Sequence, residues 1–279
     1  MFTQIVGKVC LEFCAPVNHW WHTTLRPSAR GLIAPPFFKD GTQLQLEFDF
    51  INHALVMHCS NGKQTSIALS ELTVAQFYSE VMQALSQLGF AVSIWPVPVE
   101  VPKPVRFTDN HQGQYDRIYV EHFWTVLRNI TQVFEAFRGY FVGKSSPVHF
   151  FWGAFDLALT RFSGRANPTP PQDSVMSEAY SHEVISHGFW PGGDWPMGGR
   201  VENPVIYAYA LPEPTGFAQA PVSPAIAHYH PTSKEFMLPY EELRMLPEPD
   251  KALMEFLTST YEAGANLAGW DRAALERAA

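Results

Sequence analysis

Cysteine, charge and long apolar runs are all scarce in this chain. Its three cysteines, Cys10, Cys14 and Cys59, are too few and too odd in number for a disulfide framework, and they fit a reducing cytosol. Charged residues make up 16% of the 279 and sum to −8, with no stripe of Lys and Arg. A duplex-binding surface needs such a stripe for its phosphate contacts, so nucleic acid is not an expected partner. No apolar run approaches the roughly 20 residues needed to cross a bilayer. The opening Met-Phe-Thr-Gln-Ile-Val-Gly-Lys lacks the basic-then-apolar layout of a signal peptide. These absences point to a cytoplasmic protein with no nucleic-acid or membrane partner; a small-molecule ligand is expected from the polar residues embedded in its apolar runs.

What is plentiful is apolar and aromatic. Hydrophobic residues make up 46% and aromatics 14%, enough to bury a sizeable core. Aromatics beside polar residues also suit a pocket with greasy walls and a few polar anchors. The length fits a single domain over 1–279, with the Pro-rich run Pro96–Pro104 as a connector between an N-terminal meander and a second half rich in Gly, Pro and aromatics.

Alternation of Ile5, Gly7, Val9, Leu11 and Phe13 with Val6, Lys8, Cys10 and Glu12 predicts a first strand. Leu44–Phe50 alternates without fault, and Asn61-Gly62 predicts a type I′ hairpin turn after it. Thr73 with Gln76 forms a capping box for a helix carrying Phe77, Val81, Leu85 and Leu88 up to Gly89. A short strand is expected over 91–95. Residues 116–141 keep helical spacing for about seven turns. Two strands are expected around Gly153, others at 204–210 and 225–230, and a last helix capped by Asp250. No βαβ rhythm appears, so the class is α+β: mostly antiparallel sheet packed by one long and two or three shorter helices.

Candidate chemistry concentrates between His149 and Trp190. His182-Glu183 followed by His187 resembles a zinc-protease strip, but those histidines stand five apart where one helical face needs four. Gly143-Lys144-Ser145 ends like a phosphate loop but lacks the upstream glycine. Ser163 and Ser181 lack a nucleophile elbow. No metal site is assigned. The strand-like run around Asp156 embeds His149, Asp156, Thr160 and Arg161 among apolar residues, and each needs a partner there. Arg161 and Arg165 flank Ser163-Gly164 and are candidates for an anion clamp. Glu178 and His182 either share a helical face, or His182 and Glu183 occupy a strand. His149, His182 and Glu183 are the acid–base candidates. Asp156, Arg161, Arg165 and Glu178 are the ligand-binding candidates, with Trp152 and Trp190 as pocket walls. His228-x-His230 is metal-ligand spacing but also fits edge histidines.

Seven motifs together resemble an uncharacterised bacterial family catalogued as domain of unknown function 5996. They are Thr3–Lys8, Pro16–His22, Glu47–Phe50, Ser146–Gly153, Thr160–Arg165, Glu178–Val184 and Gly188–Gly192. The family pattern has a further segment before Thr3, usually a small residue at the position of His187, and usually no histidine at the positions of His228 and His230. The resemblance implies no activity and names no cofactor. The functional expectation is a pocket for a small anionic molecule with His/Glu acid–base chemistry. Its alternatives are a non-catalytic binding or scaffold protein with a structural polar network, and a metal-dependent enzyme using histidines among His19, His22, His149 and His182. Enzyme or not stays open at this point.

Overall fold

A computed structural model describes residues 1–70, 72–113, 115–173, 175–194 and 200–277. The fold is α+β, and the chain divides into two compact units, Met1–Arg128 with Phe150–Ala154 and Asn129–His149 with Phe155–Ala279.

In the first unit, helix α1 (Phe2–Phe13) precedes strands β1 (Arg26–Pro27), β2 (Gly31–Ile33), β3 (Phe37–Lys39), β4 (Thr42–Asp49), β5 (Ala54–Cys59) and β6 (Gln64–Ala68), then helix α2 (Val74–Gln87). The strands form one antiparallel sheet in the order β1-β2-β4-β5-β6, with β3 also on β4. The expected first strand is therefore a helix. Its buried residues include Ile5, Val6, Val9 and Cys10, an i, i+1, i+4, i+5 set that makes a helical stripe as readily as an alternation over so short a window. Cys10 and Cys14 accordingly lie one helical turn apart rather than along a strand.

The hairpin after β5 exists, but not through a type I′ turn. Gly62 N–H donates to the Cys59 carbonyl at 3.0 Å and Cys59 N–H to the Lys63 carbonyl at 2.9 Å. Of the two turn residues only Gly62 is left-handed (φ 85°), which is the three-residue loop with one glycine bulge. The capping box on α2 is present as read, with Gln76 N–H on Thr73 Oγ1 and Thr73 N–H on Gln76 Oε1. The strand expected over 91–95 is irregular chain. The proline-rich stretch lies inside this unit, tied down where the Gln4 amide pairs both the N–H and C=O of Val99 at 2.9 Å.

Helix α3 (Arg117–Gly139) starts where Asp116 accepts from Ile118 and Tyr119 N–H. The second sheet runs β13-β14-β12-β9-β8-β7. Its strands are β7 (His149–Phe151), β8 (Asp156–Ala166), β9 (His182–Trp190), β12 (Val205–Leu211), β13 (His228–His230) and β14 (Glu235–Pro239). Short helix α4 (Met176–Ala179) leads into β9, and β10 (Gly193–Asp194) pairs β11 (Arg200–Val201) apart from the sheet. Helices α5 (Tyr240–Leu243), α6 (Pro249–Leu267) and α7 (Arg272–Leu275) close the chain. Glu248 rather than Asp250 caps α6, because Pro249 takes the first helical position.

Strand parity sorts this sheet into two faces. Leu157, Leu159, Ile185, Phe189, Ile206, Ala208 and Leu238 are buried and share one parity in the register. They face α6, whose Phe256, Leu257 and Tyr261 are buried with them. The opposite parity carries Asp156, Thr160, Ser186, Tyr207 and Tyr209.

Candidate functional site

The polar residues of the second unit fall into two separate groups, one on each face of the sheet. Asp156 and Arg161 stand five apart on β8, so they point to opposite sides. The pocket expected to unite them, with His182, is not assembled.

On the helix face Arg161 is enclosed, only 2% exposed. Its Nη2 donates to the Phe137 carbonyl, and the guanidinium lies 3.4 Å from the Phe137 ring centre, 4.4 Å from Tyr261 and 4.9 Å from Phe141. Burial lowers its pKa to about 10, while Tyr261 and Glu276 pull the other way. Beside it His187, fully buried, stands 3.0 Å from Thr260 Oγ1. That hydroxyl donates to the Phe256 carbonyl at 2.7 Å, so it accepts the His187 Nε2–H, which assigns the neutral tautomer. Burial first, and the charge of Arg161 second, hold the His187 pKa down to about 3.

Arg165 does not join Arg161 in a clamp. A bulge between Phe162 and Ala166 breaks the strand parity, with Gly164 left-handed at φ 86°. Arg165 then meets Glu183 Oε2 through Nε at 2.9 Å and Nη2 at 2.7 Å, and donates to the Ala268 and Gly269 carbonyls at the end of α6. It is a helix C-cap held by an ion pair. Glu183, also bonded by Ser163, lines a cavity of about 140 Å³ with Ile185, Leu211, Glu213 and Trp270.

The other sequence candidates disperse. His182 is exposed beside Ser181 Oγ at 3.1 Å, and Glu178 is exposed on α4. His149 is buried, its Nδ1–H donating to the Pro147 carbonyl at 2.8 Å. Trp152 belongs to the first unit, where its indole N–H donates to the Thr23 carbonyl at 2.9 Å. Trp190 is buried on β9 with the parity of Gly188 and Ser186.

The second group is the tighter one. Tyr207 donates to Asp156 Oδ2 at 2.5 Å, Tyr209 and Tyr180 hydroxyls meet at 2.7 Å, and the Tyr207 and Tyr209 rings stack at 6.1 Å. Thr160 Oγ1 and Ser186 Oγ meet at 2.9 Å on the same face. Burial raises Tyr207 well above its ordinary range, helped by the Asp156 charge. Glu235 on β14 feels the same neighbourhood. Burial lifts its carboxyl to about 7, the Ser233 hydroxyl opposes the rise, and the Asp156 charge adds to it. His230 is the register partner of Glu235 and His228 of Met237, so both histidines edge this face.

Gly188 makes the arrangement possible. A Cβ there would sit 2.1 Å from Tyr207 Cζ and 2.5 Å from the Leu157 carbonyl oxygen, so only glycine lets the phenol lie across β9 toward Asp156. Gly188→Ala is expected to dislodge Tyr207 at a cost of about 1–3 kcal/mol. Urea denaturation measures this, and an unchanged midpoint would mean that the ring relocates freely.

The chain belongs to a family of unknown function, DUF5996. The family model matches residues 1–277, while no curated protein and no solved structure matches. The motifs that marked the resemblance supply Asp156's neighbours Thr160 and Gly188, but Tyr207, Tyr209 and Glu235 lie outside them. Sequence reading missed these three. The alternation of Tyr207 and Tyr209 within β12 was the available signal. No helix among the described residues is long and apolar enough to cross a membrane, and no three His, Cys, Asp or Glu side chains among them converge as metal ligands.

Proposed function

We propose that this protein binds a small polar molecule on the Asp156–Tyr207–Tyr209–Glu235 face of its second sheet, with Glu235 as the proton-transfer group. One observation carries the reading: a carboxyl lifted to about 7 by burial, on the same sheet face as a second carboxylate held by a tyrosine. Paired acids whose environments push them apart are the usual basis of acid–base chemistry at neutral pH. The ligand is one rich in O–H or N–H donors, because the face offers carboxylate and phenol oxygens. The anionic ligand expected from Arg161 and Arg165 loses its support here, since both guanidiniums are engaged elsewhere. The net charge of −8 favours a small molecule over nucleic acid as partner, and the free Cys10, Cys14 and Cys59 favour a cytosolic setting.

A closed structural network is the second reading, favoured by the short Tyr207–Asp156 and Tyr180–Tyr209 bonds. Thermal-shift screening with polyols and amines separates the two. A ligand must raise the midpoint of the wild type and lose that effect in Glu235→Gln and Tyr207→Phe. Equal shifts in all three proteins, or none in any, favour the network.

A further inference from the structure

A second site lies away from that face, at the C-terminal end of α3. Arg138, Lys144 and Arg277 line a cleft of about 350 Å³ together with Glu135, Phe141 and Ser145. Three cations against one carboxylate is a strong local excess in a chain whose net charge is −8. Both arginines are held by backbone through one nitrogen. Arg138 Nε donates to the Ser146 carbonyl at 2.8 Å, and Arg277 Nε donates to the Gly139 carbonyl at 2.8 Å, with its own N–H on the Tyr140 carbonyl. Arg138 spends one further nitrogen on Glu135 at 3.2 Å, an exposed pair of the kind worth little. The other terminal nitrogens have no hydrogen-bond partner among the described residues.

Compensation of the helix dipole explains cations at this end of α3. It does not explain Lys144, which is exposed and makes no side-chain hydrogen bond or ion pair among the described residues. Its backbone is nevertheless fixed, with the Lys144 carbonyl accepting from Phe162 N–H at 3.0 Å and Gly143 N–H donating to Leu275 at 3.2 Å. Anchored guanidiniums and a fixed loop lower the ordering cost of binding, and Arg forks match phosphate oxygens.

We propose that this cleft is an oxyanion site for a phosphorylated small molecule, Lys144 adding a point charge to the two guanidiniums. The reading does not depend on the acid–tyrosine face. The test is calorimetric titration of the full chain with pyrophosphate, ionic strength held constant with NaCl. Saturable binding to the wild type is expected, weakened at least about tenfold by Lys144→Ala, largely retained by Lys144→Arg, and unchanged by Lys63→Ala, which removes an equal charge from the exposed β5–β6 loop. Because the exposed Lys144 side chain makes no hydrogen bond or ion pair among the described residues, its variant is expected to fold like the wild type. No saturable heat up to about 10 mM pyrophosphate, or equal weakening by Lys63→Ala and Lys144→Ala, overturns the site.

Discussion

Arg161→Ala is expected to destabilise the second unit by on the order of 2–5 kcal/mol, while Arg161→Met costs no more than about 1.5 kcal/mol. The difference turns on what the guanidinium contributes. Its pKa is lowered to about 10 by burial, so the charged form is less at ease in the fold than in water, and the charge is not what holds it there. The Phe137 carbonyl also accepts from Tyr140 N–H at 3.2 Å, so removing the arginine leaves no orphaned acceptor. What alanine loses is the body of a side chain packed against Phe137, Phe141 and Tyr261, which leaves a cavity. Methionine refills most of that volume with an adaptable chain that suits aromatic neighbours. Urea denaturation with the transitions of the two units fitted separately measures both, because a chain of two units is not two-state by default. A methionine variant as damaged as the alanine one would mean that the cation itself holds the aromatic cluster together.

Arg161 also shows where the sequence was legible and where it was not. Long periodic segments survived translation into structure: α3, α2 with its capping box, and the alternating strand β4 are where the residues put them. So is the separation of His182 from His187, one exposed and one buried on opposite faces. The same odd-spacing argument applied to Asp156 and Arg161 would have split them too. The reading grouped them because both were polar in an apolar run. The pairing of Arg161 with Arg165 failed for another reason, since the bulge at Gly164 cancels parity and no pattern of hydrophobicity announces it. Asp156's true partners lie on strands 50 to 80 residues downstream. Strand order sets Tyr207 two strands and Glu235 three strands across the same sheet face from it, and strand order is not written in local periodicity. The N-terminal helix was lost to a short window rich in β-branched residues, in which strand and helix templates both fit.

Glu235→Gln is expected to leave stability unchanged near pH 4 and to raise it by roughly 2–3 kcal/mol at pH 8. The Glu235 carboxyl ordinarily titrates at 4.5 and is raised to about 7 in the fold. Between those values the folded protein holds a proton that the unfolded chain has released. Stability therefore falls as pH rises through the window, and the full deficit remains above it. Glutamine stays neutral at every pH and escapes the penalty; partial exposure of the site keeps the gain toward the lower end. His187 contributes with the opposite sign. Its pKa is lowered from 6.5 to about 3, so its contribution is complete above 6.5 and is lost as pH falls toward 3. In the wild type the two slopes oppose one another between about 4.5 and 6.5. In Glu235→Gln the His187 slope stands uncovered, and second-unit stability should climb with pH across that interval before levelling. Urea midpoints at half-unit pH intervals from about 4 to 8 read this directly. Parallel curves for the two proteins would place Glu235 in water with an ordinary pKa, and with it would go the carboxylate pair on which proton transfer at this face depends.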